Sequence, residues 1–331
     1  MNNRKKRIHI IATGGTIAGK GLEGVTAQYR ACGISIDSLV SEIPSTEHLA
    51  ELTYEQMINV DSNNITYDNW LNLAKRVNEL AKSDDIDGFV ITHGTDTMDE
   101  TAYFLNLVLK TNKPIVLTGA MRPATATSPD GPMNLYQAIA LASSNQAVGK
   151  GVLVVFSDGI YSGRDVQKVN NFKTDAFNER DFACLGYMRD DKPYFFYESI
   201  KTHTTDTVFD ITNVDRLPQV SIIYFYLGAP VSILDYYAKN NDGLVIAGTG
   251  NGSYSDEWIE KVSEISDKKG IPVVRSSRVG SGMIIKNKYM DKSPNCIPAN
   301  SLVPHKARIL LSLALTRTNS IEEITAMFKQ Y

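Results

Sequence analysis

Three short segments of this chain carry hydroxyl, carboxylate and lysine groups of the kinds that can bind a small charged ligand or act as nucleophile and base. The first, Thr13-Gly14-Gly15-Thr16-Ile17-Ala18-Gly19-Lys20-Gly21, presents two hydroxyls on a glycine-rich turn. Paired glycines let a backbone turn sharply and approach a ligand closely. Gly14 and Gly19-Lys20 fit the G-x-x-x-x-G-K spacing of a phosphate loop, but Gly21 stands where a Ser or Thr hydroxyl should reach Mg²⁺, so that match fails. Taken alone, the segment is equally a plain tight turn.

The second segment runs from Phe89 to Glu100 and contains Thr92-His93-Gly94-Thr95-Asp96-Thr97. A buried strand is expected to end at Thr92, and Thr97-x-x-Glu100 has the spacing of a capping box that starts a helix. Thr95 and Asp96 then stand at a helix N-terminus, among unpaired N–H groups and the positive dipole end. Such a place holds a carboxylate. Asp96, itself an anion, suits the α-ammonium of an amino acid whose carboxylate takes the N–H groups. The competing reading makes Asp96 a cap and His93 a hydrogen-bonded core residue. The third segment, Asp158 to Lys168, ends in Gly163-Arg164-Asp165-Val166-Gln167-Lys168. A lysine delivered into a cleft lowers a neighbouring hydroxyl's pKa, whereas a lysine on an ordinary surface is merely solvated.

What must position these segments is a set of short, β-branched apolar runs: Ile8 to Ala12, Gly88 to Thr92, Ile115 to Thr118, Val152 to Phe156, Val220 to Tyr226, Leu244 to Ala247 and Ile271 to Val274. Helical patterns lie between them. The clearest places Trp70, Leu73, Ala74, Val77, Leu80 and Ala81 on one face. The alternation predicts an α/β fold: a mainly parallel sheet with helices on both faces, and ligands beyond the carboxyl ends of its strands. All three segments follow strands that such a sheet brings to one edge. A polar, Thr-rich stretch around Lys201 to Thr207 breaks the pattern. It predicts a larger N-terminal α/β domain over 1–190, a linker over 191–213 and a smaller α/β C-terminal domain over 214–331, whose last helix opens with a capping box at Ser320-x-x-Glu323.

At 331 residues the chain is long enough for about two domains. Its net charge of -3 predicts no pull toward nucleic acid or an anionic membrane. The basic cluster Arg4 to Arg7 precedes an apolar run too short for a signal peptide, and no stretch reaches the ~18 apolar residues of a membrane span. The expected compartment is therefore the cytoplasm, or the periplasm for a mature secreted chain. Cys32, Cys184 and Cys296 offer neither a disulfide framework nor metal-ligand spacing, and reduced structural thiols are expected. Neither cofactor nor metal is called for.

The motifs then become recognisable as a set. The chain resembles the bacterial type II L-asparaginase family in Ile11-Ala12-Thr13-Gly14-Gly15-Thr16-Ile17-Ala18-Gly19 and Ile91-Thr92-His93-Gly94-Thr95-Asp96-Thr97-Met98. Further matches are Thr118-Gly119-Ala120-Met121-Arg122-Pro123, Asp130-Gly131-Pro132-x-Asn134-Leu135, Gly163-Arg164-Asp165-Val166-x-Lys168 and Val274-Arg275-Ser276-Ser277-Arg278-Val279. They span nearly the whole chain in family order.

The resemblance implies hydrolysis of asparagine to aspartate and ammonia through an acyl-enzyme on Thr13. It further implies a tyrosine, Tyr29, supplied by a flexible loop, and a proton-handling triad of Thr95, Lys168 and Asp96. The implied substrate-binding set is Ser62, Asn63, Gly94, Thr95, Asp96, Ala120 and Asn251, with Ser62 on the α-carboxylate and backbone N–H groups near Thr95 and Ala120 on the oxyanion. Asn251 would be lent by a neighbouring subunit of a homotetramer built from two intimate dimers. Both hydroxyls face the substrate in this reading, so the sequence leaves open whether Thr13 or Thr95 attacks.

Two departures bear on selectivity. Asn63 stands where many relatives have a glutamine, and Tyr289 or a residue near Lys288 aligns where many have a loop-latching glutamate. Asparagine is expected to be the favoured substrate, with room for minor glutaminase activity, since one methylene discriminates by only ~1–3 kcal/mol. Two alternatives are an ammonia-releasing subunit of a tRNA-dependent amidotransferase and a non-enzymatic amino-acid sensor. The first normally has an extra N-terminal domain, and the second needs no nucleophile.

Overall fold

The computed structural model describes residues 4–21, 24, 29–30, 33, 35–43, 46–178 and 184–331. The chain divides into two compact units, Met1–Thr207 and Val208–Tyr331. In the first, β1 (Lys6–Gly14), β2 (Lys20–Gly21), β3 (Tyr29–Arg30) and β4 (Ala50–Val60) precede β5 (Gly88–Thr92), β6 (Ile115–Thr118), β7 (Val152–Phe156) and β8 (Gly159–Ser162). Four shorter strands follow: β9 (Gln167–Lys168), β10 (Phe177–Asn178), β11 (Gly186–Arg189) and β12 (Lys192–Phe195). The helices of this unit are α1 (Ile36–Glu42), α2 (Tyr67–Leu80), α3 (Met98–Val108) and α4 (Gly131–Ser143).

The main sheet has the order β12-β11-β8-β7-β6-β5-β1-β4. Strands β4, β1, β5, β6 and β7 run parallel, while β8, β11 and β12 continue it antiparallel. From β1 the chain crosses to β4 on one side and then returns to β5 on the other. That reversal opens a crevice at the carboxyl ends of β1 and β5. The central strands are apolar throughout because both faces are covered. Ile8, Ile10, Ala12, Val90, Val116 and Leu153 share one core with Leu135, Ala138 and Ile139 of α4. Alternate residues such as Ile11, Phe89, Ile91 and Leu117, buried equally, take the opposite face.

Helix α2 buries Trp70, Leu71, Leu73, Ala74 and Val77, and Trp70 stacks on Phe104 of α3 with ring centroids 5.0 Å apart. Its N-terminus carries a full capping box between Thr66 and Asn69. Two sequence expectations are corrected. Thr97 precedes α3 as expected, but its hydroxyl makes no cap; it donates to Ser62 O at 3.0 Å, drawn across to a neighbouring loop. The stretch 191–213, expected as a linker, contains the edge strand β12 and a 3₁₀ turn, Thr204–Asp206. That turn region is fastened to the end of α3 by Lys110 Nζ, 2.7 Å from both Thr207 O and Thr207 Oγ1, and the unit boundary follows directly.

The second unit holds a parallel sheet of β13 (Val220–Tyr224), β14 (Gly243–Gly248), β15 (Val273–Ser277) and β16 (Cys296–Pro298) in that order. It is covered by α5 (Ile233–Asn240), α6 (Asp256–Lys269), α7 (Pro304–Leu315) and α8 (Ile321–Gln330). Ser320 Oγ accepts from Glu323 N at 3.3 Å, but Ser320 N donates to Thr318 Oγ1, so half of the expected capping box forms. Cys184 and Cys296 are free thiols; Cys32 lies outside the described residues.

Candidate active site

The carboxyl ends of β1, β5 and β6 meet through glycines that leave no room for a side chain. A Cβ on Gly15, whose φ is +85°, would lie 2.3 Å from Gly94 Cα, and one on Gly94 would lie 2.8 Å from Ser62 Oγ. A Cβ on Gly119 would lie 2.4 Å from His93 O and 3.3 Å from Thr95 Cγ2. Backbones therefore touch where side chains would hold them apart, and the residues next to each glycine are gathered at one edge. Those residues are Thr13, Thr16, Thr95 and Ala120, with Ser62 facing Gly94, and all are buried.

Thr13 sits where the β1–β4 ladder breaks: Ala12 pairs with Gln56, yet Gly14 pairs with Val60. Its side chain is 1 % exposed, and Oγ1 donates to Thr92 O at 2.9 Å, across the strand boundary to β5. Ser62 and Asn63 lie on a 3₁₀ turn, Ser62–Asn64, whose cap is the Asp61 side chain accepting from Asn63 N. His93 is wholly buried, with Nδ1 2.7 Å from Gly94 O and Nε2 2.9 Å from Thr101 Oγ1. Burial pushes its imidazole down to about 4. It is a neutral brace under the Gly94-Thr95 turn, as the structural reading of His93 expected.

Lys168 reaches this edge from β9. Its Nζ lies 2.9 Å from Thr95 Oγ1 and 2.5 Å from Asp96 Oδ1. Its backbone N–H points to Asp99 Oδ2 at 3.4 Å, tying β9 to the first turn of α3. Asn63 Nδ2 donates to the other Asp96 oxygen at 3.0 Å. The Lys168 ammonium holds the Asp96 carboxyl below the usual carboxylate range, opposed by burial and assisted by Asn63. Asp96 is thus an anion with both oxygens oriented. Thr95, Asp96 and Lys168 line an open cleft of about 660 Å³ together with Met121, Arg122, Ser128 and Phe172.

The remaining expected residues fall as follows. Tyr29 lies in β3, its backbone paired with Gly21; its side chain is outside the described residues. Ala120 follows β6 and is buried against the Gly94-Thr95 turn through Gly119. Asn251 belongs to the second unit, where Asn251 O accepts from Arg275 Nη1 at 2.9 Å. Tyr289, also there, donates its hydroxyl to Asp256 Oδ1 at 2.6 Å. Sequence reasoning missed the structural parts played by Asp99, Asp130 and Asn134. The D-G-P-x-N string was a visible signal, but its purpose needs the loop it holds.

This arrangement suits attack by a hydroxyl on a small, zwitterionic amide. It offers two buried threonine hydroxyls, Thr13 at the end of β1 and Thr95 in the turn after the neighbouring β5, and an ion pair touching Thr95. The family model for the asparaginase N-terminal domain matches residues 7–201, and that for the glutaminase/asparaginase C-terminal domain matches 219–328. The chain is 47% identical over 327 residues to L-asparaginase 2 of Bacillus subtilis (strain 168), covering 98% of this chain and 86% of that protein. It is 45% identical to a glutaminase-asparaginase of Acinetobacter glutaminasificans, covering 99% and 100% of the two chains. A crystal structure of a "Probable Cytoplasmic L-asparaginase" from Campylobacter jejuni superposes with a TM-score of 0.94 at 44% identity, over 99% of this chain and 100% of that one. With both of its units matched along nearly their whole length, the chain belongs to the asparaginase/glutaminase family of amidohydrolases, in its bacterial type II branch.

Proposed function

We propose that this enzyme hydrolyses L-asparagine to L-aspartate and ammonia, with Thr13 as nucleophile. The observation that carries the reading is the single ammonium of Lys168 bonded at once to Thr95 Oγ1 and Asp96 Oδ1. A solvated lysine has no reason to be held in that fork.

The α-ammonium of the substrate goes to the Asp96 carboxylate, whose second oxygen is set by Asn63. Its α-carboxylate goes to Ser62 and the N–H group at Gly94, beside the positive end of α3. The side-chain amide carbon then faces Thr13. Thr13 Oγ1 forms the C–O bond, and the carbonyl oxygen becomes an oxyanion met by the N–H groups of Ala120 and Thr95. The Thr13 proton passes to the leaving nitrogen through Tyr29 or a water held by Thr95 and Lys168. The C–N bond breaks and ammonia leaves. Water next attacks the aspartyl ester, the C–O bond to Thr13 breaks, and the water's proton passes back to Thr13 Oγ1 by the same relay, leaving aspartate.

The Thr13 hydroxyl donates to Thr92 O, so attack requires it to rotate away from that carbonyl. Thr13→Ala and Thr95→Ala proteins, mixed with excess asparagine, separate the roles. No ammonia burst is expected from Thr13→Ala; a full burst from it would move the nucleophile to Thr95. Ammonia release by the purified chain, without ATP or partner, separates a free-standing hydrolase from an amidotransferase subunit or a sensor.

Asparagine is the favoured substrate in this reading, and equal kcat/KM for asparagine and glutamine would overturn it. The active form is a homotetramer of two dimers, with the C-terminal domain lending Asn251 to the neighbouring subunit's site. A monomer that turns over asparagine at full rate by sedimentation and assay would refute that. A net charge of -3 supports a small-molecule partner over nucleic acid. Among the described residues no helix is long and apolar enough to cross a membrane. For compartment we propose the cytoplasm; a relative in Haemophilus influenzae is named a probable periplasmic L-asparaginase, and cell fractionation decides between the two.

A further inference from the structure

We propose that Asp130, with Asn134, is a positioning residue that aims the Ala120 N–H at the oxyanion. Asp130 stands at the N-cap of α4, where a carboxylate ordinarily accepts the first free N–H groups of its own helix. It makes no such bond. Its two oxygens instead accept from Met121 N at 3.0 Å and Arg122 N at 2.9 Å, nine and eight residues back. One turn into α4, Asn134 Nδ2 donates to Gly119 O at 3.0 Å and to Asp130 Oδ2 at 3.2 Å. Asn134 Oδ1 accepts from Ser157 N at 3.1 Å, beyond the end of β7, so the amide is fixed from both ends.

The result is a loop held on either side of one residue. Gly119 is fixed by its carbonyl and by its contact with His93 O, while Met121 and Arg122 are fixed by their N–H groups. Between them, Ala120 is 1 % exposed, and among the described residues its N–H meets no backbone or side-chain acceptor. A buried backbone donor left without a partner is costly unless something else takes the hydrogen bond. Helix α4 gives up its own cap to hold that donor still, and a side chain on Gly119 would meet both His93 O and the Thr95 methyl, so the loop has no room to shift that way. The acceptor that fits is the oxygen bearing charge in the tetrahedral intermediate.

This inference rests on the hydrolase reading above. The test is steady-state kinetics on asparagine and the Kd of L-aspartate for Asp130→Asn, Asp130→Ala and Asn134→Ala. Since the clamp acts on the transition state, kcat is expected to fall by about 10²-fold in Asp130→Ala and less in Asp130→Asn, which keeps one acceptor, while L-aspartate Kd stays within roughly threefold. A folded Asp130→Ala enzyme with near-parental kcat overturns the proposal, as does an aspartate Kd that rises in step with the loss of kcat. Should Asp130→Ala not fold, Asn134→Ala carries the same two outcomes. A parent chain that releases no ammonia would instead sink the hydrolase reading itself.

Discussion

Gly15 and Gly94 touch backbone to backbone: a Cβ on Gly15 would stand 2.3 Å from Gly94 Cα and 2.4 Å from Gly94 N. This contact brings the turn after β1 against the turn after β5, and with it Thr13 toward Thr95.

Gly15→Ala is therefore expected to damage both fold and activity. Overpacking and the positive φ together cost about 2–5 kcal/mol, and a displacement of the Thr13 turn by about 1 Å lowers kcat/KM by about 10²-fold. Gly149 has a comparable φ of +71° with nothing within 4 Å of its would-be Cβ. Gly149→Ala should cost only about 1 kcal/mol and leave kcat/KM unchanged. Urea unfolding and kinetics on both variants check this; equal effects would mean that strain, not the Gly94 contact, is what matters.

The ion pair between Lys168 and Asp96 sets the acid limit of substrate binding. Because Lys168 lowers the Asp96 pKa, the ionised form and the stability it adds are present above the ordinary carboxylate range and are lost as pH falls through the lower native value. Asparagine binding, measured by calorimetry on a Thr13→Ala background, should persist below about pH 4. In Thr13→Ala/Lys168→Met it should fail at higher pH. Identical pH profiles would show that Lys168 does not govern Asp96.

His93 makes a second pH prediction, on stability. The native imidazole resists protonation down to about 4, whereas the unfolded one binds a proton near 6.5. Between those values the unfolded state holds more protons, so stability is lost as pH falls, by about 3.5 kcal/mol in all at ~1.4 kcal/mol per unit. Unfolding midpoints at roughly pH 7 and pH 4.5 should differ less in His93→Gln than in the parent. An unchanged difference would assign the loss to other groups.

In the second unit, Arg275 is buried with Asp291 at 2.6 and 2.8 Å, and also donates to Asn251 O and Ile285 O. It ties the Asn251 loop to the 285–291 segment. Asp291→Ala leaves that guanidinium uncompensated and should cost about 3–5 kcal/mol. Arg275→Met/Asp291→Leu, which removes both charges, should recover much of it. A double variant as unstable as the single one would mean that the loop contacts, not the stranded charge, dominate.

What was legible in the sequence follows from burial. Strands Gly88–Thr92, Ile115–Thr118 and Val152–Phe156 stand where their apolar runs predicted, because both faces of each are covered and every position must be apolar. Ala50–Val60 was missed for the converse reason: at the sheet edge, with most of its residues partly or fully exposed, it carries no apolar run. The helix over 67–80 was found by its period, but its Thr66–Asn69 capping box was overlooked because asparagine takes the place of the usual Glu or Gln. The expected linker hid the edge strand Lys192–Phe195, which pairs with β11 through backbone groups that no side-chain pattern records.

By itself, then, the sequence determined the α/β class, the strands that end at the site and the types of group found there, since these depend on local period and on chemistry carried by single residues. Tertiary structure alone decided that Lys168 forks between Thr95 and Asp96, that Thr97 serves Ser62 rather than its own helix, and that Asp130 caps a loop rather than α4. Each is a choice among several acceptors or donors of similar strength. Such a choice is settled only when the packed backbone brings one partner within about 3 Å and leaves the others out of reach.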